Sequence, residues 1–96
     1  MDKLKKDAIL AQHVQSSVND FIVQNSNTQS LITITSVKIE NTGHTANVFI
    51  STIPDRDIGS AMTFLKRHKV EISNILQRNY RVDRLPEIRF LPDPGK

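Results

Sequence analysis

Apolar residues recur along this chain with two different periods. Leu10, Val14, Val18, Phe21 and Ile22 fall three or four residues apart, flanked by Ala8 and Ala11, the spacing of one buried helix face. The pattern predicts a first helix from Lys3 to Gln24, with Asp2 placed to cap it. Asn25 to Ser30 is polar throughout and reads as a loop. From Leu31 to Glu40 the run LITITSVKIE is rich in β-branched residues and contains no breaker, so a strand is expected. Regular alternation puts Leu31, Val37 and Ile39 on one of its faces and Ile32 and Ile34 on the other. Apolar residues on both faces imply an interior strand.

Asn41 to His44, with glycine third, is a short turn. Beyond it Ala46, Val48 and Ile50 alternate with Asn47, Phe49 and Ser51 in a second strand, Thr45 to Thr52, which completes an antiparallel hairpin. Pro54 ends the hairpin, and Asp55 or Asp57 is placed to cap a helix that runs to about Tyr80. Pro86 holds Leu85 extended, and Glu87 to Leu91 then turns Ile88 and Phe90 inward and Glu87 and Arg89 outward. Pro92 to Lys96 carries two prolines and a glycine and reads as a frayed tail. The order helix, strand, strand, helix, strand predicts one α+β domain over residues 1–96, a three-stranded sheet with helices on one face.

The second helix does not fit a straight cylinder. Its wheel gathers Ile58, Ala61, Leu65, Ile72, Ile75 and Leu76 on one side, but Lys69 falls inside that apolar arc and Val70 falls outside it. Burying an unpaired ammonium costs several kcal/mol, roughly, unless the side chain reaches water or the backbone adjusts. A kink is therefore expected near residues 68–70.

Charge sharpens this picture. The 96 residues carry a net charge of +3, which permits a polyanionic partner without requiring one. From Lys66 to Arg89, however, seven Lys and Arg face only Glu71, Asp83 and Glu87. Lys66, Arg67, Lys69, Arg78, Arg81, Arg84 and Arg89 are the candidate phosphate contacts, with His68 beside them at the expected bend. The competing reading is a solvated helix face in which Arg67 pairs with Glu71 four residues on. Lys3, Lys5 and Lys6 lie in the first turns of helix one, where the helix dipole disfavours cations, so they either face a partner or form a solvated cluster. Tyr80 is a candidate stacking platform, or a packing residue at the helix end.

Other chemistry is thinly represented. The chain has no cysteine, which excludes disulfides, thiolate metal sites and thiol nucleophiles. His13, His44 and His68 lie in separate elements without ligand spacing, and no serine elbow, phosphate-cradling glycine loop or paired-carboxylate motif occurs. No enzyme, metal, cofactor or small-molecule substrate is expected. No apolar run approaches the roughly 18 residues of a membrane span, and the start lacks a signal peptide's apolar core, so a cytoplasmic protein is the expectation.

Three segments, ITITSVKI at Ile32–Ile39, ANVFIS at Ala46–Ser51 and RLPEIRF at Arg84–Phe90, resemble the first, second and closing strands of the ribosome-binding factor A family, in the same order. The resemblance covers almost the whole chain and implies a KH-like fold of the second type (αββαβ). It implies a monomer when free that binds the small (30S) ribosomal subunit and its 16S ribosomal RNA during late assembly and 5′-end processing, without catalysis. The family is also associated with growth in the cold. Its helix kink is built on an alanine and a glycine, and the matching positions here are His68, Lys69 and Val70. The alternative function is a protein-binding module, with the basic helix and an open edge of strand Glu87–Leu91 or Thr45–Thr52 meeting an acidic protein.

Overall fold

The computed structural model describes residues 3–25 and 31–95. In chain order these form α1 (Lys3–Asn25), β1 (Leu31–Glu40), β2 (Thr45–Ile53), a single 3-10 turn (Asp55–Asp57), α2 (Ile58–Arg67), α3 (Lys69–Tyr80) and β3 (Glu87–Pro92). The fold is α+β, and its element order is the KH-like one, with the second helix divided in two at His68. The Asp2 cap and most of the polar loop, residues 26–30, lie outside the described residues.

The sheet has the order β1-β2-β3, with β1 antiparallel and β3 parallel to β2. A helical crossover between neighbouring strands makes them parallel, whereas the four-residue turn at Asn41–His44 makes its strands antiparallel. That turn is closed by a 3.1 Å bond from the His44 amide to the Asn41 carbonyl, with Thr42 at φ 56° and Gly43 at φ 84°. Positive φ at both central positions suits the twist of a hairpin.

Two expectations about the strands are corrected. β1 is an edge strand, and β2, offered as an open edge, is the central one. Both errors trace to one extra residue. Ile34 lies opposite Ile50 and Ser36 opposite Phe49, so Thr35 is bulged out of the ladder. The bulge shifts the side-chain phase by one, so Ile32, Ile34, Val37 and Ile39 all face the same way, opposite Thr52, Ile50, Val48 and Ala46. What alternation reads as a two-faced interior strand is a one-faced edge strand.

That shared face carries the core. Val14, Val18 and Phe21 from α1, Ala46, Val48 and Ile50 from β2, Leu65 from α2, Ile72 and Leu76 from α3, and Ile88 and Phe90 from β3 are buried together. α1 packs on β1 and β2, α2 on β2 and β3, and α3 turns away to pack on α1. The Ser17 hydroxyl, buried between α1 and the core, donates 2.8 Å to the His13 carbonyl, so no polar group is stranded there. The strand β3 reaches Pro92, into the segment read as frayed, and the Asp93 amide donates 2.8 Å to the Ile50 carbonyl. A proline at the end of an edge strand needs no ladder donor, which is why it does not stop the strand sooner.

Deleting Thr35 should remove the bulge and leave an unbroken ladder with all four apolar side chains still inward. Its stability by urea unfolding is expected to stay within about 1 kcal/mol of the parent. Deleting Lys38 instead draws Ser36 into the place of Val37, and is expected to cost about 1–2 kcal/mol more through lost apolar burial.

Candidate nucleic-acid interface

The helix break organises the basic residues. His68 leaves helical geometry at φ −112°, ψ 23°, closing α2 with a 3.1 Å bond from its amide to the Leu65 carbonyl. Its own carbonyl then accepts the Ile72 amide at 3.1 Å and starts α3. The ring packs in a triangle with Phe21 and Phe64, with centroids 5.2 and 5.0 Å away and the two phenyl rings 5.6 Å from each other, and Nδ1 lies 2.8 Å from Glu71 Oε1. No small residue eases this bend. Aromatic packing on one side and a carboxylate on the other hold it instead. The expected kink is present, at the first of the three positions named, but it does not rescue Val70, which stays 73 % exposed. Lys69 is half-buried at the first position of α3.

Three features converge at the junction. Lys66 and Arg67 are exposed on the last turn of α2, Lys69 opens α3, and the positive end of the α3 dipole lies within the same turn. The pairing that could have neutralised Arg67 is not made, because Glu71 is bonded to His68. Among the described residues, none of Lys66, Arg67, Lys69, Arg78 and Arg81 has a carboxylate within 4 Å.

A second group lies at the far end of α3, about 18 Å away at 1.5 Å per residue. Arg78 is exposed on its last turn, Arg81 caps it, and Arg84 follows in the connection to β3. Arg81 takes the left-handed conformation, φ 49° and ψ 54°, with its amide donating 3.0 Å to the Gln77 carbonyl. Glycine is the usual residue in that conformation. Arg84 donates to His44 Nε2, and the other ring nitrogen of His44 bonds the Asn41 carbonyl, which ties the connection to the β1–β2 turn.

Two of the candidates stand apart. Arg89 lies between buried Ile88 and Phe90 on β3, so it points to the face of the sheet away from the helices, where it pairs with Glu87 at 2.9 Å. His68 is committed to the bend and offers a contact only through its one-third exposed edge. The sheet face that bears Arg89 balances it and Lys38 against Glu40 and Glu87. Asn47, between them on β2, donates to Glu40.

The sequence reading passed over a groove at the second group. It has a volume of about 750 Å³ and lies between the first half of α1, the β1–β2 turn and the α3–β3 connection. Tyr80 does pack at the helix end, stacked on His13 with ring centroids 4.0 Å apart and planes 9° from parallel, and both rings line this groove. Lys6 lines it as well. The unfavourable place of that lysine on the dipole was the one signal in the sequence.

Residues 6–95 match the family described as ribosome-binding factor A. Among solved structures, the crystal structure of ribosome-binding factor A from Thermus thermophilus superposes with a TM-score of 0.77 at 24 % identity, covering 90 % of this chain and 93 % of that one. A solution structure of a Thermotoga maritima protein gives 0.76 at 24 % identity, over 100 % of this chain and 94 % of that one. A homology model of the Thermus thermophilus factor, fitted into a cryo-EM map of its 30S complex, gives 0.72 at 23 % identity, over 94 % and 93 % of the two chains. A comparison with curated proteins finds no significant match.

Replacing Arg81 by glycine should relieve a left-handed strain of about 1 kcal/mol, offset by the greater freedom of glycine in the unfolded chain. The urea midpoint of Arg81→Gly is therefore expected to equal or slightly exceed that of the parent, whereas Arg81→Ala, which keeps the strain, should show no gain. A marked loss of stability in Arg81→Gly would mean that the arginine side chain itself holds the helix end.

Proposed function

The chain belongs to the ribosome-binding factor A family, and from that premise we propose that it binds the small ribosomal subunit through 16S ribosomal RNA during late maturation, when the 5′ end is processed. The observation that carries this reading is a set of cations with no carboxylate partner among the described residues: Lys66 and Arg67, exposed at the α2–α3 junction, and Arg78 and Arg81, exposed beyond it. The half-buried Lys69 belongs to the same set. An ammonium or guanidinium with no internal partner is ready to exchange its hydration and a condensed counterion for a phosphate. Such contacts position a protein on folded RNA without reading its bases. The related Thermus thermophilus factor, whose homology model was fitted into a map of its 30S complex, gives the fold a precedent on that particle.

The role is binding and not catalysis. A factor that chooses between two RNA arrangements acts only through the difference in its affinity for them. Rigid spacing of the two cationic groups along α3 supplies such a difference, because phosphates brought to matching separation in one arrangement are separated differently in another. Arg89 and the balanced face of the sheet take no part in this contact.

Binding to isolated small subunits should therefore be strongly salt-dependent. Five phosphate contacts, at the single-strand slope of about −0.7 per contact, lower affinity at least roughly a hundredfold between 50 and 200 mM salt. Reversing charge at Lys66, Arg67 and Lys69 together should abolish co-sedimentation with immature small subunits while leaving the melting temperature within a few degrees of the parent. Salt-insensitive binding that survives this reversal would favour the protein-binding alternative, through the exposed edge of β1 or β3.

A further inference from the structure

We infer that the groove between α1, the β1–β2 turn and the α3–β3 connection takes one unstacked nucleotide of a single-stranded RNA. Its base would lie against the His13–Tyr80 pair, and its flanking phosphates would be held by Lys6, Arg81 and Arg84. This inference rests on the reading of the chain as an RNA-binding factor and adds to it a site that contacts a base.

The volume, about 750 Å³, is within the range of roughly 300–1,000 Å³ typical of small-ligand sites. Within the groove His13 and Tyr80 are already stacked, their planes 9° from parallel, and both rings are only half-buried. A third planar ring extends such a stack at little cost in side-chain order, and a base is a ring with two faces to offer. Neither ring is sealed into the core, as a purely packing pair would be.

Charge fits the same occupant. Lys6 from α1 and Arg81 from the end of α3 both line the groove without a carboxylate partner among the described residues, and Arg84 is held in place by His44. Asp7 and Asp83 also line it. Carboxylates repel phosphate but accept from the amino and imino groups of a base edge. A site that mixes cations, acceptors and a stacked ring pair matches a nucleotide better than a bare phosphate or an apolar side chain.

The test compares the affinity of the full chain for a mixed-sequence hexaribonucleotide and for an abasic hexamer with the same sugar-phosphate backbone. Removing the bases should weaken binding about tenfold, the lower part of the range for losing one base–aromatic stack. Tyr80→Leu, which keeps an apolar side chain, should bind both hexamers alike. His13→Leu serves as a second variant if the first melts early, and is expected to erase the same difference. Equal binding of both hexamers by the parent, with steep salt dependence, would overturn the groove and leave the phosphate surface standing. Failure to bind either hexamer while small subunits still bind would do the same. A free nucleoside monophosphate that binds more tightly than the hexamer would overturn the RNA-strand site in favour of a small-ligand one. Loss of binding to both hexamers and to subunits would sink the groove and the proposed function together.

Discussion

A three-ring cluster of His68, Phe21 and Phe64 packs at the break between α2 and α3, and the arrangement of the whole molecule follows from that break. On an unbroken wheel His68 falls inside the apolar stripe, between Ile75 and Ala61 in angle. Straight, the helix would carry a polar ring into the core alongside its ammonium neighbour. Breaking at His68 lets the ring keep its Phe21 and Phe64 contacts while its nitrogen meets Glu71. The change of direction then sends α2 across β2 and β3 and α3 onto α1, so one interrupted helix covers two different parts of the core. In the same step Glu71 is drawn away from Arg67. The interaction that shapes the fold thereby also leaves the junction's cations without a carboxylate partner among the described residues.

Much of this was legible in the residues. The 3.6-residue spacing of Val14, Val18 and Phe21 located α1, and the misplacement of Lys69 and Val70 announced the break. The reason for the break was less visible, because the wheel drew attention to a lysine when the residue that acts is the histidine before it. Its ring partners come from α1 and α2, and contact across elements leaves no trace in local spacing.

The strands show the complementary failure. Period-two reading assumes an unbroken ladder, and Thr35 violates it, so a correct list of apolar positions led to a wrong placement of β1. No residue type in ITITSVKI marks the bulge; only pairing with β2 reveals it. For the basic residues, sequence proximity was a fair guide along helices, where Lys66, Arg67 and Lys69 share a turn, and a poor one past Pro86. There strand alternation carries Arg89 to the opposite side. The groove was invisible for a similar reason: Lys6, His13, Thr42, Tyr80 and Arg84 are brought together only when three distant parts of the chain meet.

The neutral sheet face has a kinetic implication of its own. Cations gathered on α2 and α3, set against matched charges across the sheet face, make the molecule electrostatically asymmetric, and a polyanion's field exerts a torque on such a body as well as a pull. Such a molecule turns its basic side forward before first touch. Fewer collisions are then wasted on unproductive orientations, and crowding by other anions slows its capture less than it would for a uniformly basic body of equal net charge.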